Sequence, residues 1–116
     1  MVHAGRLHMN AELSELQAAI DGLISVKESL DVLDAGCGAK LNVRFPKNAY
    51  ITGIDISQLQ LSRNHCLHRK ILGDIQCYRY PPSCFDVIVC WDVLEHVKKP
   101  TDALERLAAA LRENGI

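Results

Sequence analysis

Leu30-Asp-Val-Leu-Asp-Ala-Gly-Cys-Gly-Ala-Lys40 decides the fold, and Ile51-Thr-Gly-Ile-Asp-Ile-Ser57 repeats its logic. In the first stretch an apolar run (Leu30, Val32, Leu33) ends in an acid, Asp34, and passes directly into Gly36-x-Gly38. In the second, another apolar run ends in Asp55, twenty-one residues further on. Strand, glycine turn, crossover, strand and acid make the opening half of a nucleotide-binding βαβ unit. Without a Cβ in the turn, backbone N–H groups can approach a ligand closely and a positive φ costs little. An acid closing the second strand sits where a ribose diol can donate two hydroxyl hydrogens.

Asp34 narrows the ligand. A pyrophosphate would be repelled by a carboxylate beside the glycine turn, whereas an ammonium and a sulfonium would be attracted. Two further stretches follow in order: Gly73-Asp74 and Phe85-Asp-Val-Ile-Val-Cys-Trp-Asp-Val-Leu-Glu-His96. From about Leu30 to the C-terminus, the four together resemble the successive motifs of class I S-adenosylmethionine-dependent methyltransferases. The resemblance implies an α/β, Rossmann-like three-layer fold, a parallel sheet with helices on both faces and strand order 3-2-1-4. It implies S-adenosylmethionine as cofactor, bound outside the carboxyl ends of the strands where strands 1 and 4 part. Carried over residue by residue, Asp34 with the backbone of Gly36, Cys37 and Gly38 takes the methionine end. Asp55 accepts the ribose hydroxyls, and Ile54 or Ile56 packs on the adenine. Asp74 takes the adenine amino group with Ile75 beside the ring, and the backbone at Cys90 meets the methionine portion. One position departs from the pattern: the third glycine is replaced by Lys40, which bears on the geometry of the turn.

The totals set outer bounds. A chain of 116 residues accommodates one domain. A net charge of −1 gives neither a basic footprint for nucleic acid nor a polybasic membrane signal, so neither partner is expected. No apolar run nears the roughly 18 residues that span a bilayer, and Met1 to His8 lacks the apolar core of a signal peptide. The five cysteines (37, 66, 77, 84 and 90) are odd in number and form no C-x-x-C pair, which points to reduced thiols in a cytoplasm.

Along the chain, Ala11 to Ser29 reads as an amphipathic helix with Leu13, Leu16, Ile20, Leu23 and Ile24 on one face. Strand 1 covers Asp31–Asp34. The crossover from Ala39 to Asn48 is expected to hold a helix of about two turns, stopped by Pro46. Strand 2 covers Tyr50–Ile54, and Ser57 caps a helix to about Leu67 with Leu59, Cys66 and Leu67 inward. Strand 3 is Lys70–Leu72, a loop with Pro81-Pro82 follows, and Asp86–Cys90 is a buried strand 4. Thr101 is expected to cap a final helix to about Glu113, with Leu104, Leu107, Ala108 and Leu111 as its stripe and Asn114-Gly115 as its C-cap.

Arg112 to Ile116 resembles the turn into a fifth strand. Residues 1–116 are therefore expected to be the cofactor-binding part of a methyltransferase domain: an N-terminal helix in 1–29 and a βαβ core in 30–116. That leaves strand 4 as an apolar edge, which folded proteins avoid, and a homodimer through it is one expectation. For the chemistry, His96 is the single candidate general base. Asp92, Glu95 and His96 share a helix face if a helix begins near Asp92, and Trp91 either lines the acceptor side or fills core. His65 and His68 share a face, but a structural zinc needs about four ligands and no second pair is visible. No metal is expected, and no thiol has a neighbouring base in sequence.

The function expected is methyl transfer from the sulfonium to a small-molecule nucleophile, a reaction that needs chiefly alignment of the two partners. Two alternatives stand beside it. One is an NAD(P)-binding oxidoreductase domain, opposed by Asp34, by the missing glycine at position 41 and by Gly73-Asp74. The other is a non-catalytic half-domain that pairs with a partner chain.

Overall fold

Four strands run parallel in the computed structural model, which describes residues 13–24, 27–41, 43–90, 93 and 96–115. They are β1 (Leu30–Ala35), β2 (Ala49–Asp55), β3 (Arg69–Leu72) and β4 (Val87–Val89), in spatial order β3-β2-β1-β4. The order is the expected one. Asp34 stands opposite Gly53 on one side and Val89 on the other, and Asp55 stands opposite Leu72. The register brings the carboxyl ends of β1, β2 and β3 to one end of the sheet.

Strand alternation divides the core between two faces. Leu30 and Val32 join Ile51, Val87 and Val89 on one face, covered by Leu16, Ile20 and Leu23 of α1 (Leu13–Ile24). Leu33 and Ala35 join Ile54 and Ile75 on the other, covered by Ala103 and Leu107 of α3 (Pro100–Ala110). Helices therefore lie on both sides of the sheet, in three layers.

The expected crossover helix is replaced. Among the described residues of 39–48 there is no helix. Leu41, Val43 and Phe45 all pack toward the α1 side of the core, with Val43 fully buried. Their i, i+2 spacing is that of extended chain, not of a helix face, and Pro46 forbids a helical turn around it. Gln17 of α1 takes the place of a backbone neighbour: its Oε1 accepts the Arg44 N–H at 2.9 Å and its Nε2 donates to the Arg44 carbonyl at 3.0 Å.

Other boundaries also move. α1 leaves helical geometry before Lys27, whose ammonium pairs with Asp86. Residues 11–12 and 25–26, at the expected ends of that helix, lie outside the described residues. α2 is Gln58–Arg63, capped by the Ser57 hydroxyl accepting from the Gln60 N–H at 3.2 Å, as expected. It stops four residues early, however, and its buried residue is Leu61; Leu59 and Cys66 are exposed and Leu67 is half-buried. α3 begins at Pro100, with Lys99 rather than Thr101 at the cap position. Proline at the first helical position needs no N–H partner. The helix ends at Leu111, so Asn114 (φ +67°) and Gly115 form a separate turn closed by Gly115 N–H to Arg112 C=O at 2.9 Å. Leu111 instead bridges to Phe85, just before β4.

At the amino end of the sheet, Asp86 is buried but well served. The Asp31 N–H donates to it at 2.9 Å, Lys27 pairs with one oxygen, and Arg112 donates to the other at 2.8 Å while also reaching Asp31 at 2.9 Å. Burial alone would raise its pKa; these donors outweigh it and hold the carboxyl below the usual range.

Candidate functional site

Asp34 closes β1 with only 4% of its surface exposed. Its carboxylate accepts no hydrogen bond from any described residue, in contrast to Asp86. Burial, reinforced by the nearby charge of Asp55, raises its pKa from 3.8 to about 7. An acid at the mouth of a strand with no donor among the described residues has the capacity to accept a cation from outside.

The turn after it is held by β2. Gly36 and Cys37 both donate to the Ile54 carbonyl, at 2.8 and 3.0 Å. Gly36 (φ +72°) and Gly38 (φ +59°) adopt the left-handed conformation that favours glycine. They differ in surroundings: a Cβ on Gly36 would lie 2.5 Å from a methyl of Val93, whereas one on Gly38 would meet nothing within 4 Å. The Gly38 side of the turn is thus open. Cys37 points inward instead, and burial, then the charges of Asp34 and Asp55, pushes its thiol up to about 12. It is no nucleophile.

Asp55 organises the turn and α2 together. One carboxylate oxygen accepts the Gly38 N–H at 2.9 Å and the other accepts the Ser57 N–H at 2.9 Å. Each oxygen has a further lone pair, and the residue is only half-buried, so it can still receive two hydroxyls. Ile56, next along, is 75% exposed, an apolar side chain held out beside that acid. Ile54, the other side chain read as a ring contact, is wholly buried in the core.

The remaining sequence-derived residues are distributed unevenly. Asp74 lies past β3, where its carboxylate takes the Gln76 N–H at 2.8 Å and the Gln76 side-chain amide at 3.1 Å. Gln76 in turn accepts the Lys99 N–H at 2.7 Å and the Arg106 Nε–H (through its carbonyl) at 2.9 Å, which ties Asp74 to α3. Ile75 is 4% exposed and belongs to the α3-side core. Cys90 is half-buried after β4, its thiol pushed up to about 11 by burial and then by Asp34. His96 is exposed, and its N–H donates to the Val93 carbonyl at 2.9 Å. Trp91, Asp92 and Glu95 lie outside the described residues. No group of three or more metal-ligating side chains occurs among the described residues, and no described helix is long and apolar enough to cross a membrane.

Asn64 was not singled out by sequence reasoning. It is fully buried at the end of α2 and bonded to the glycine turn through its side chain. No local pattern announces it, because its partner is 26 residues away.

Comparison with known proteins gives concordant results. Residues 33–116, well over half the chain, match the family model described as a methyltransferase domain. A ubiquinone biosynthesis O-methyltransferase from Idiomarina loihiensis is 34% identical over 105 residues, which cover 82% of this chain and 42% of the relative. The chain thus spans less than half the length of that curated relative. Among solved structures, a TehB-like SAM-dependent methyltransferase from Corynebacterium glutamicum superposes with a TM-score of 0.64 at 18% identity, covering 91% of this chain and 61% of that one. The plantazolicin methyltransferase BpumL, solved in complex with SAH, gives a TM-score of 0.60 at 23% identity over 85% of this chain and 39% of the other. These two share the fold.

Proposed function

The chain belongs to the methyltransferase domain family, and from that premise we propose that it binds S-adenosylmethionine across the carboxyl ends of β1 and β2 and serves methyl transfer to an oxygen of a small molecule. The single observation that carries the cofactor assignment is the buried carboxylate of Asp34, without a donor among the described residues, beside two left-handed glycines. When bound, the cofactor supplies an electrophilic methyl on a cationic sulfur.

The chain's own residues then bind and orient. Asp34 balances the positive charge of the methionine end. Gly36, Cys37 and Gly38 let that end approach the backbone of the turn. Asp55 receives the ribose hydroxyls on the lone pairs left by Gly38 and Ser57. Ile56 offers an apolar surface to the adenine, Asp74 takes its amino group, with Ile75 beside the ring, and the backbone at Cys90 meets the methionine side. Methyl transfer by displacement gains mainly from holding the two reactants in line. Transfer to oxygen is favoured because the curated relative is named an O-methyltransferase; His96 is the candidate base for the acceptor hydroxyl. An oxidoreductase domain is set aside with the family assignment. Residues 1–116 are read as the cofactor-binding part of the enzyme.

Five cysteines without a disulfide fit a reducing compartment, so the cytoplasm is the proposed location. A second reading rests on β4, which among the described strands pairs with β1 alone. A copy of this chain could add there, and light scattering that finds a strict monomer across concentration would remove that reading.

Calorimetric titration with S-adenosylhomocysteine tests the main proposal. Wild type is expected to bind, and Asp55→Ala to lose at least about tenfold in affinity, since each hydrogen bond to a charged group contributes about 1.5–3 kcal/mol. Tighter binding of NADH than of S-adenosylhomocysteine would overturn it.

A further inference from the structure

We infer that Asn64 is a positioning residue for the cofactor loop, acting through the carbonyl of Gly38. Its surroundings leave it one conformation. The side chain is fully buried, Nδ2 donates to the Gly38 carbonyl at 3.1 Å, and Oδ1 accepts the Cys66 N–H at 3.0 Å. Its own N–H donates to the Leu61 carbonyl at 3.1 Å, ending α2.

Gly38 needs such a contact. A glycine occupies left- and right-handed regions with similar ease, so its φ of +59° is not selected by its own sterics. No side chain crowds it either, since a Cβ there would meet nothing within 4 Å. What holds the residue is a clamp on its two backbone polar groups: Asp55 takes the N–H and Asn64 gives to the C=O. Both clamping residues flank α2, so β2 and α2 together set the turn that follows β1. Lys40 stands in the third glycine's place, exposed, and the clamp fixes the turn ahead of it.

The inference rests on the reading of this turn as the binding loop for the methionine end of the cofactor. The test therefore includes one measurement that needs no ligand. Asn64→Ala is expected to bind S-adenosylhomocysteine about tenfold more weakly, the equivalent of one buried hydrogen bond. It should retain most of its affinity for 5′-methylthioadenosine, which lacks the amino-acid end. In the absence of ligand, the Gly38 amide should exchange with solvent faster than in wild type. Leu61→Ala, a core change on the same helix without a bond to the turn, controls for general loosening and should keep the wild-type preference between the two ligands.

Equal S-adenosylhomocysteine affinity and equal Gly38 exchange in a folded Asn64→Ala would overturn the inference, as would the same ligand-selective loss in Leu61→Ala. If Asn64→Ala does not fold, Asn64→Ser keeps a short neutral acceptor for the Cys66 N–H, removes the donor that reaches Gly38, and carries the same expectations. Wild type that binds no S-adenosylhomocysteine would sink the functional proposal, while Gly38 exchange still decides the role of Asn64.

Discussion

Replacing Asp34 by asparagine should stabilise the ligand-free protein while weakening its binding site. Asp34 is 4% exposed and has no hydrogen-bond donor among the described residues, and its pKa rises from 3.8 to about 7. Between those two values the folded chain holds a proton that the unfolded chain has released. Stability contributed by that proton is full below the unfolded pKa and is lost as pH rises through the folded one. At about 1.4 kcal/mol per pH unit, the ionised carboxylate makes the fold about 4 kcal/mol less stable above pH 7 than a normally titrating acid would. The asparagine side chain carries no charge but buries an amide, so the expected gain for Asp34→Asn is about 2–4 kcal/mol at pH 8, or roughly 10 °C or more in Tm.

Urea unfolding of both proteins at pH 5, 6, 7 and 8, without cofactor, reads this directly. The advantage of the variant should shrink by about 2–3 kcal/mol between pH 8 and pH 5, as wild-type Asp34 takes up its proton. Asp86 does not confuse the window. Its pKa is lowered, so the stability it gives is present above the unfolded value and lost only as pH falls below about 4. A variant less stable than wild type at pH 8, or one whose difference from wild type is flat with pH, would refute the reasoning.

Three further outcomes are expected. S-adenosylhomocysteine, whose ammonium needs Asp34 ionised, should bind wild type about tenfold more weakly at pH 6 than at pH 8; calorimetry in two buffers should show proton release near pH 7, and Asp34→Asn should lose the dependence. Gly38→Ala should cost the fold only about 1–2 kcal/mol, the left-handed penalty alone, because space is open there, yet reduce cofactor affinity more than that; Gly36→Ala, driven into Val93 as well, should be the less stable of the two in thermal melts. Asp86→Ala should destabilise by about 3 kcal/mol, since Arg112 and Lys27 lose a buried partner, with the figure lowered by the partial exposure of both cations; its S-adenosylhomocysteine affinity, measured below the melting range, should match wild type.

Much of this was legible in the sequence because the deciding residues are local. Asp34 before Gly36 and Gly38, Asp55 at the end of an apolar run and Ser57 before α2 each stand in a pattern only a few residues long, although Asp55 reaches Gly38, 17 residues away. The strand order followed from the family resemblance that the successive motifs carry. The crossover was misjudged because a βαβ unit ordinarily contains a helix, yet Leu41, Val43 and Phe45 alternate at the spacing of extended chain, and Gln17 supplies the backbone partners that a helix would have supplied internally. Pro100 was a better start signal for α3 than Thr101. The early end of α2 and the role of Asn64 have a common cause: a buried side chain that bonds Gly38, far away in sequence.

The two ends of the sheet solve the problem of a buried acid in opposite ways. At the amino end, Asp86 is surrounded by an N–H, an ammonium and a guanidinium, so its charge is balanced within the chain. At the carboxyl end, Asp34 has no hydrogen-bond donor among the described residues, and burial with the like charge of Asp55 raises its pKa to about 7. A core rearranged for stability alone would place a donor or an apolar side chain there. On the function proposed here, that carboxylate keeps an interaction in reserve: a cation entering the turn would gain a partner and relieve the repulsion from Asp55. The same charge that lowers the stability of the free protein would then become binding energy for a positively charged ligand, and ligand binding to the folded state alone would return it as stability. Asp55 takes part in both halves, repelling Asp34 while its N–H donors from Gly38 and Ser57 fix the turn into which the ligand must fit.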